Sequence, residues 1–140
     1  YGDPETQTQM RLLKSSLIDM SMACIDGTLD RIKPEWSSEE AACIVIATPG
    51  YPTDYGKNLG RHLHIEELPD YNVVFHAGTG FREDLLVNTG GRIVGVTATG
   101  TNQDQAIDRA YAPIVSGKVF LQGMPGMHIR TDIRYTRNSA

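Results

Sequence analysis

Between residues 41 and 100 the chain offers strand-type runs one after another, with no helix-length run between them. "ACIVIAT" is a buried-strand run ended by the turn "PGYP", and "NVVFHAGT" is a second. "LLVNTGGRIVGVTATG" reads as two strands around a Thr-Gly-Gly turn, a hairpin candidate. Only then does "TNQDQAIDRAYAPIV" bring a helix, of about 12 residues. It starts at a capping Thr101 or Asn102 and carries an apolar stripe of Ala106, Ile107, Ala110, Tyr111 and Ile114. "KVFLQG" and "MHIRTDI" close the chain as short strands. This order lacks the regular βαβ alternation of a doubly wound sheet. The expected class is α+β, with a small antiparallel β-rich unit.

Ahead of that unit, residues 6–29 place Met10, Leu13, Leu17, Ile18, Met22, Ile25 and Leu29 at helical spacing. Asp3 suits an N-cap, Pro4 the first helical position and Glu5 the first turn. One long amphipathic helix is expected, with Gly27 fraying or ending its last turn. "DRIKPEWSSEEA" is polar, holds a proline and reads as a linker. The expected division is therefore 1–35 for the long helix and linker, and 36–140 for the β-rich unit.

Charge narrows the function classes. A net charge of −4 without a basic stripe gives nucleic acid no electrostatic footprint. The longest apolar run, residues 41–47, falls far short of the roughly 20 residues of a membrane-spanning helix. Cys24 and Cys43 each lie in an apolar stretch, have no Cys or His at metal spacing, and are expected as buried free thiols. His62 and His64 share a face if extended, which makes only half a zinc site. His76, between apolar neighbours, is expected as a satisfied structural histidine. Lys57 is expected as a solvated charge.

Several motifs then occur together and in order: "YGDPETQ", "GYP" followed by Y-x-K, "VVFHAGT", "LLVNTGGRIVGVTATG", A-x-x-x-AY and R-x-DI. Together they resemble the C-terminal part of the glycinamide ribonucleotide synthetase family, ATP-grasp ligases of purine biosynthesis. The resemblance runs from Tyr1 to about Ile133. It implies a C-terminal fragment that holds the last ATP-grasp helix and then an antiparallel domain of the rudimentary hybrid-motif type. The family joins glycine to 5-phosphoribosylamine through glycyl phosphate, using ATP with Mg2+ or Mn2+. The metal ligands of the family pattern E-x-N-x-R-[FY]-GDPE lie upstream of this chain, so no metal site is expected in it and the isolated fragment is expected to be inactive. A cytoplasmic setting is implied as well. Two departures stand out: "TPGYP" replaces the family's "SGYP", and Arg134 replaces the glycine that follows Ile133.

Two site candidates follow. Helix N-termini usually attract anions, but Asp3 and Glu5 already put negative charge at this one. A cation or amine is the better guest there, so Asp3, with Glu5 beside it, is expected to orient or deprotonate an attacking amine. The alternative is a helix cap and nothing more. In the second candidate, Thr89, Gly90 and Gly91 form a tight turn whose amides face an anion, with Arg92 as a planar partner. A sugar 5-phosphate or the glycine carboxylate would suit it. The alternative is a hairpin turn that uses glycine for positive φ, with Arg92 solvated. A competing reading of the whole chain is a stand-alone α+β binding or assembly module without catalysis, which the sequence upstream of Tyr1 would distinguish. The first helix has an apolar face that an absent module would cover, so it is expected to dock on the β-rich unit, to swap between copies, or to make the chain self-associate.

Overall fold

The computed structural model describes residues 2–124 and 128–133. In chain order these form helices α1 (Glu5–Leu12) and α2 (Leu17–Ile25), then strands β1 (Glu40–Ala47), β2 (Leu63–Ile65), β3 (Asn72–His76), β4 (Thr79–Arg82), β5 (Leu85–Asn88) and β6 (Arg92–Gly100). Helix α3 (Gln103–Val115) and strands β7 (Val119–Leu121) and β8 (His128–Ile129) complete them. The main sheet has the order β3-β6-β1-β8, and every pair in it is antiparallel. The α+β antiparallel expectation holds.

The sheet has two different faces because its side chains alternate. Ala42, Ile44 and Ile46 of β1 and Val94, Val96 and Ala98 of β6 point to one side. There they pack with Ala106, Ile107, Ala110 and Ile114 of α3 into the hydrophobic core. Each large aliphatic side chain buried there contributes about 1.5–3 kcal/mol. The α3 stripe is thus nearly as the sequence predicts. Asn102 caps the helix, its Oδ1 accepting from the Gln105 amide at 2.9 Å, and Gln105 Oε1 accepts back from the Thr101 amide at 2.9 Å.

The opposite face carries Cys43, Val45, Gly95, Thr97 and Thr99, and α1 lies across it. A Cβ on Gly95 would stand 2.8 Å from Cys43 Sγ and 4.0 Å from Gln7 Cγ of α1, so the bare backbone there lets the helix approach the sheet.

The long N-terminal helix is corrected to two short ones. Leu13 is extended rather than helical, and residues 13–16 separate α1 from α2. The linker is the cause. Leu13 bridges Trp36, the Lys14 amide donates to Glu35 O at 2.9 Å, and the Ser37 amide donates to Leu12 O at 2.7 Å. Serines supply the local alternative to continued helix. Ser15 Oγ accepts from the Glu35 amide at 2.8 Å, and Ser16 Oγ caps α2 by accepting from Asp19 N at 3.1 Å. Gly27, at φ +65°, ends α2, while the Thr28 amide donates to Ala23 O and the Gly27 amide to Cys24 O. At the other end Pro4, not Asp3, occupies the cap position of α1, and no side chain caps it. Cys24 is also corrected: it is exposed on α2, whose sole buried residue is Ala23, whereas Cys43 is buried as expected.

The hairpin is corrected too. β5 and β6 do not pair with each other. β5 pairs with β4 through a turn at Glu83 and Asp84, both at positive φ, while β6 enters the main sheet between β1 and β3. Residues 89–91 are therefore a crossing between two sheets. β2, which the sequence reading passed over, pairs with β7.

Candidate functional site

The two predicted site elements meet. Arg92 Nη2 lies 2.9 Å from Asp3 Oδ2, with both side chains a little under half exposed. A β-bulge makes this possible. Ile46 pairs with Val94, but its neighbour Ala47 pairs with Arg92, so Ile93 is the extra residue on β6. Ile93 joins Val94 in the core. Strict alternation would have sent Ile93 toward α1 and Arg92 into the core. The bulge returns Arg92 to the face that carries α1, where Asp3 sits just ahead of the helix.

The Thr89-Gly90-Gly91 segment is clamped from below by a buried polar network. Asn88 is fully buried at the end of β5. Its Oδ1 accepts from the Arg61 amide at 2.8 Å, and its Nδ2 donates to Thr48 Oγ1 at 3.0 Å and to Asn58 O at 2.9 Å. Thr48 Oγ1 in turn donates to Gly90 O at 2.7 Å, and the Thr48 amide donates to Gly91 O at 2.7 Å. The Thr89 amide is spent on Gly78 O. Among the described residues nothing accepts from the Gly90 or Gly91 amides, which keep their capacity to donate to an anion. Asn88 and Thr48 were not singled out from the sequence. The signal was a polar residue closing each of two apolar runs, "LLVN" and "IVIAT".

The glycines are there for space rather than for positive φ, since neither Gly90 nor Gly91 has it. A Cβ on Gly78 would lie 2.6 Å from Arg92 O and 2.7 Å from Gly90 Cα, and a Cβ on Gly91 would strike the Tyr51 ring. The "FHAGT" and "NTGGR" motifs are thus two strand ends pressed backbone to backbone. Tyr51, from "GYP", is the wall beside them.

Glu5 does not join this cluster. It lines a separate hollow of about 260 Å3 between α1 and α3, with Thr8, Cys43 and Ile107. His76 is exposed and bonds Thr79 Oγ1 through Nδ1 at 3.0 Å. His62 and His64 stand with ring centroids 6.3 Å apart, His62 bonded to Gln122 and His64 beside Glu66. Lys57 is exposed and paired with Asp54 at 2.6 Å. Among the described residues no group of three or more His, Cys, Asp or Glu could hold a metal ion. Nor do the described residues fit a magnesium–phosphate site, because Glu5 lines another hollow and Asp3 brings a single carboxylate to this cluster. Arg134 lies outside the described residues.

Burial pushes the Cys43 thiol above its ordinary value, and the Asp3 charge adds in the same direction. Cys43 is therefore a protonated, inert thiol under α1. At the far edge of the sheet Arg130 grips Asp132 through two hydrogen bonds of 2.9 and 2.7 Å. The guanidinium holds the Asp132 carboxyl below the usual carboxylate range.

Comparison with known proteins agrees with this architecture. The family described as "Phosphoribosylglycinamide synthetase, C domain" matches residues 41–136. A phosphoribosylamine–glycine ligase of Agrobacterium fabrum is 46% identical over 80% of this chain and 26% of its own length. One from Caldanaerobacter subterraneus subsp. tengcongensis is 35% identical over 95% of this chain and 30% of its own. The solved phosphoribosylamine–glycine ligase of Thermotoga maritima superposes with a TM-score of 0.73 at 27% identity, covering 94% of this chain and 31% of that one. The chain spans about a quarter to a third of the length of these relatives.

Proposed function

Since the chain belongs to the phosphoribosylglycinamide synthetase C-domain family, we propose that it is the C-terminal part of an ATP-dependent phosphoribosylamine–glycine ligase. In this reading it supplies one wall of the site where the sugar amine attacks. The observation that carries this is the 2.9 Å contact between Asp3 and Arg92. It puts a carboxylate suited to an amine directly beside a guanidinium suited to an anion, and the Gly90 and Gly91 amides precede that arginine in the chain. A substrate with an amine at one end and a phosphate at the other matches that polarity.

In the reaction so read, the amine nitrogen of phosphoribosylamine attacks the carbonyl carbon of glycyl phosphate. The C–N bond forms, the C–O bond to phosphate breaks, and the amine sheds a proton. ATP with Mg2+ or Mn2+ supplies the phosphoryl group, on residues upstream of this chain. The part of this chain is to hold the amine by Asp3, orient its lone pair and accept its proton, while Arg92 and the Gly90 and Gly91 amides hold the anionic end. Thr89 supports the turn through its backbone. Glu5, which faces the other hollow, is left a supporting electrostatic role.

The division at residues 35/36, the hybrid-motif affinity of the β-rich unit, a cytoplasmic setting and the inactivity of the isolated chain are parts of the same proposal. So is self-association through α2. Ile18, Met22 and Ile25 of this helix are exposed, as are Leu29 and Trp36 nearby. Such a patch is costly to leave in water.

The test is Asp3→Asn in the full-length ligase, assayed with glycine, ATP and phosphoribosylamine. Loss of a proton acceptor should lower turnover roughly 10²–10⁴-fold. Unchanged turnover overturns the assignment and leaves Asp3 as a partner that only steadies Arg92.

A further inference from the structure

Thr48, fully buried directly after β1, is the common partner of both glycines in the crossing. Its hydroxyl donates to Gly90 O at 2.7 Å and its amide donates to Gly91 O at 2.7 Å. The direction of the hydroxyl proton is fixed by its neighbours. The Arg61 amide can only donate, so the Asn88 atom that it meets is the carbonyl oxygen Oδ1. The other end of that side chain is then the donor Nδ2, which gives its protons to Asn58 O and to Thr48 Oγ1. Thr48 Oγ1, accepting there, has its own proton left for Gly90 O. The chain of donors thus runs one way, from Arg61 to Gly90.

That proton sets the polarity of a peptide. The Gly90–Gly91 bond is trans, so its C=O and N–H point in opposite directions. With Gly90 O turned inward to Thr48, the Gly91 N–H is turned away from the buried side. It has no acceptor among the described residues. Packing cannot make this choice. A Cβ on Gly78 would lie 2.7 Å from Gly90 Cα, and a Cβ on Gly91 would strike the Tyr51 ring, so the neighbours fix where the two Cα atoms sit. Turning the peptide over leaves both Cα atoms in place. It changes ψ of Gly90 and φ of Gly91 together, and glycine accepts either sign of φ. The turned-over form would present a carbonyl oxygen where the N–H now stands, and that oxygen would repel an anion.

We propose that Thr48 is a positioning residue for the crossing. Its hydroxyl holds the Gly90–Gly91 peptide with the N–H outward, and so makes this surface receptive to an anion and unreceptive to a cation. This rests on the preceding subsection for the anion being the far end of the amine substrate. It goes further in assigning the choice of charge to a side chain too deeply buried to touch that substrate.

The experiment compares two variants of the full-length ligase: Thr48→Val, which keeps the shape and loses the hydroxyl, and Thr48→Ser, which keeps the hydroxyl. Thr48→Val should raise the Michaelis constant for phosphoribosylamine at least about tenfold. Turnover at saturation and the constants for ATP and glycine should stay unchanged. Thr48→Ser should return the constant to that of wild type. A general structural loss would instead lower turnover and would not spare the other two substrates. A crystal structure of the Thr48→Val variant should show Gly90 O turned outward. If the valine variant does not fold, Thr48→Cys takes its place, since an S–H is a weaker donor at the same position. Gly90 O still facing inward, or a serine variant no better than the valine one, overturns the proposal. An outward Gly90 O with an unchanged Michaelis constant upholds Thr48 as the positioning residue and overturns the anionic contact at Gly91 in the reading above.

Discussion

Asp3 and Arg92, nearly the length of the domain apart in sequence, meet at 2.9 Å because one bulged residue, Ile93, turns the arginine toward the face where α1 lies. The contact is half-exposed, so its strength in water is modest. A double-mutant cycle of Asp3→Ala and Arg92→Ala, followed by urea unfolding, should give a coupling of about 0.2–1 kcal/mol. In the full-length ligase Arg92→Lys should raise the Michaelis constant for phosphoribosylamine, since lysine lacks the planar fork. An unchanged constant would remove Arg92 from the substrate contacts.

The clamp under the Thr89-Gly90-Gly91 crossing should matter far more for stability than the ion pair above it. Asn88→Ala strips partners from the Arg61 amide, Asn58 O and Thr48 Oγ1 at a fully buried position. The expected loss is roughly 2–4 kcal/mol, read as a lower urea midpoint. A loss below the error of that measurement would mean that water replaces the side chain there.

Gly78→Ala tests the backbone contact of the two motifs. Its Cβ would lie 2.6 Å from Arg92 O and 2.9 Å from Gly90 N, and both neighbours are main chain with no rotamer to yield. Destabilisation of at least about 2 kcal/mol is expected. Gly117→Ala is the comparison: its Cβ would meet nothing, so only the strain of φ +73° should appear. Equal losses would show that sterics at Gly78 are unimportant.

The two thiols should behave differently. Cys24 is exposed and should react with iodoacetamide in the native protein, while buried Cys43 should wait for unfolding. The Cys43 titration also has a sign. Its native value lies above the ordinary 9.0. Between the two values the unfolded chain has lost the proton and the native chain has kept it, so stability falls as pH rises above about 9. Below that pH its contribution is fully present. The stability difference between wild type and Cys43→Ala should therefore narrow above pH 9 and stay constant below it, as measured by urea unfolding across that range.

If α2 seeks a partner, the chain should show concentration-dependent mass in sedimentation. Ile18→Asp with Ile25→Asp should abolish it without lowering the melting temperature, because both side chains are already exposed. A monomer at all concentrations would sink the self-association proposal.

Wherever a residue's own pattern decided its place, the sequence was enough. The apolar runs "ACIVIAT" and "RIVGVTATG" marked two buried strands. The Asn102 cap and the stripe on α3 are local chemistry, and the lack of helices between strands implied an antiparallel sheet. Charge and glycine content singled out Asp3 and Arg92 as candidates, but not the contact between them. Three things were not legible, and two of them depend on a partner distant in the chain. Helix α1 stops at Leu12 because residues 35–37 offer its exposed amides and carbonyls an alternative. β5 turns back onto β4 because Glu83 and Asp84 adopt a left-handed turn, which frees β6 for the gap between β1 and β3. And Arg92 reaches Asp3 because one extra residue in β6 breaks a two-residue period that the sequence alone would continue. Periodicity describes a strand by itself, whereas a bulge is a property of two strands in register.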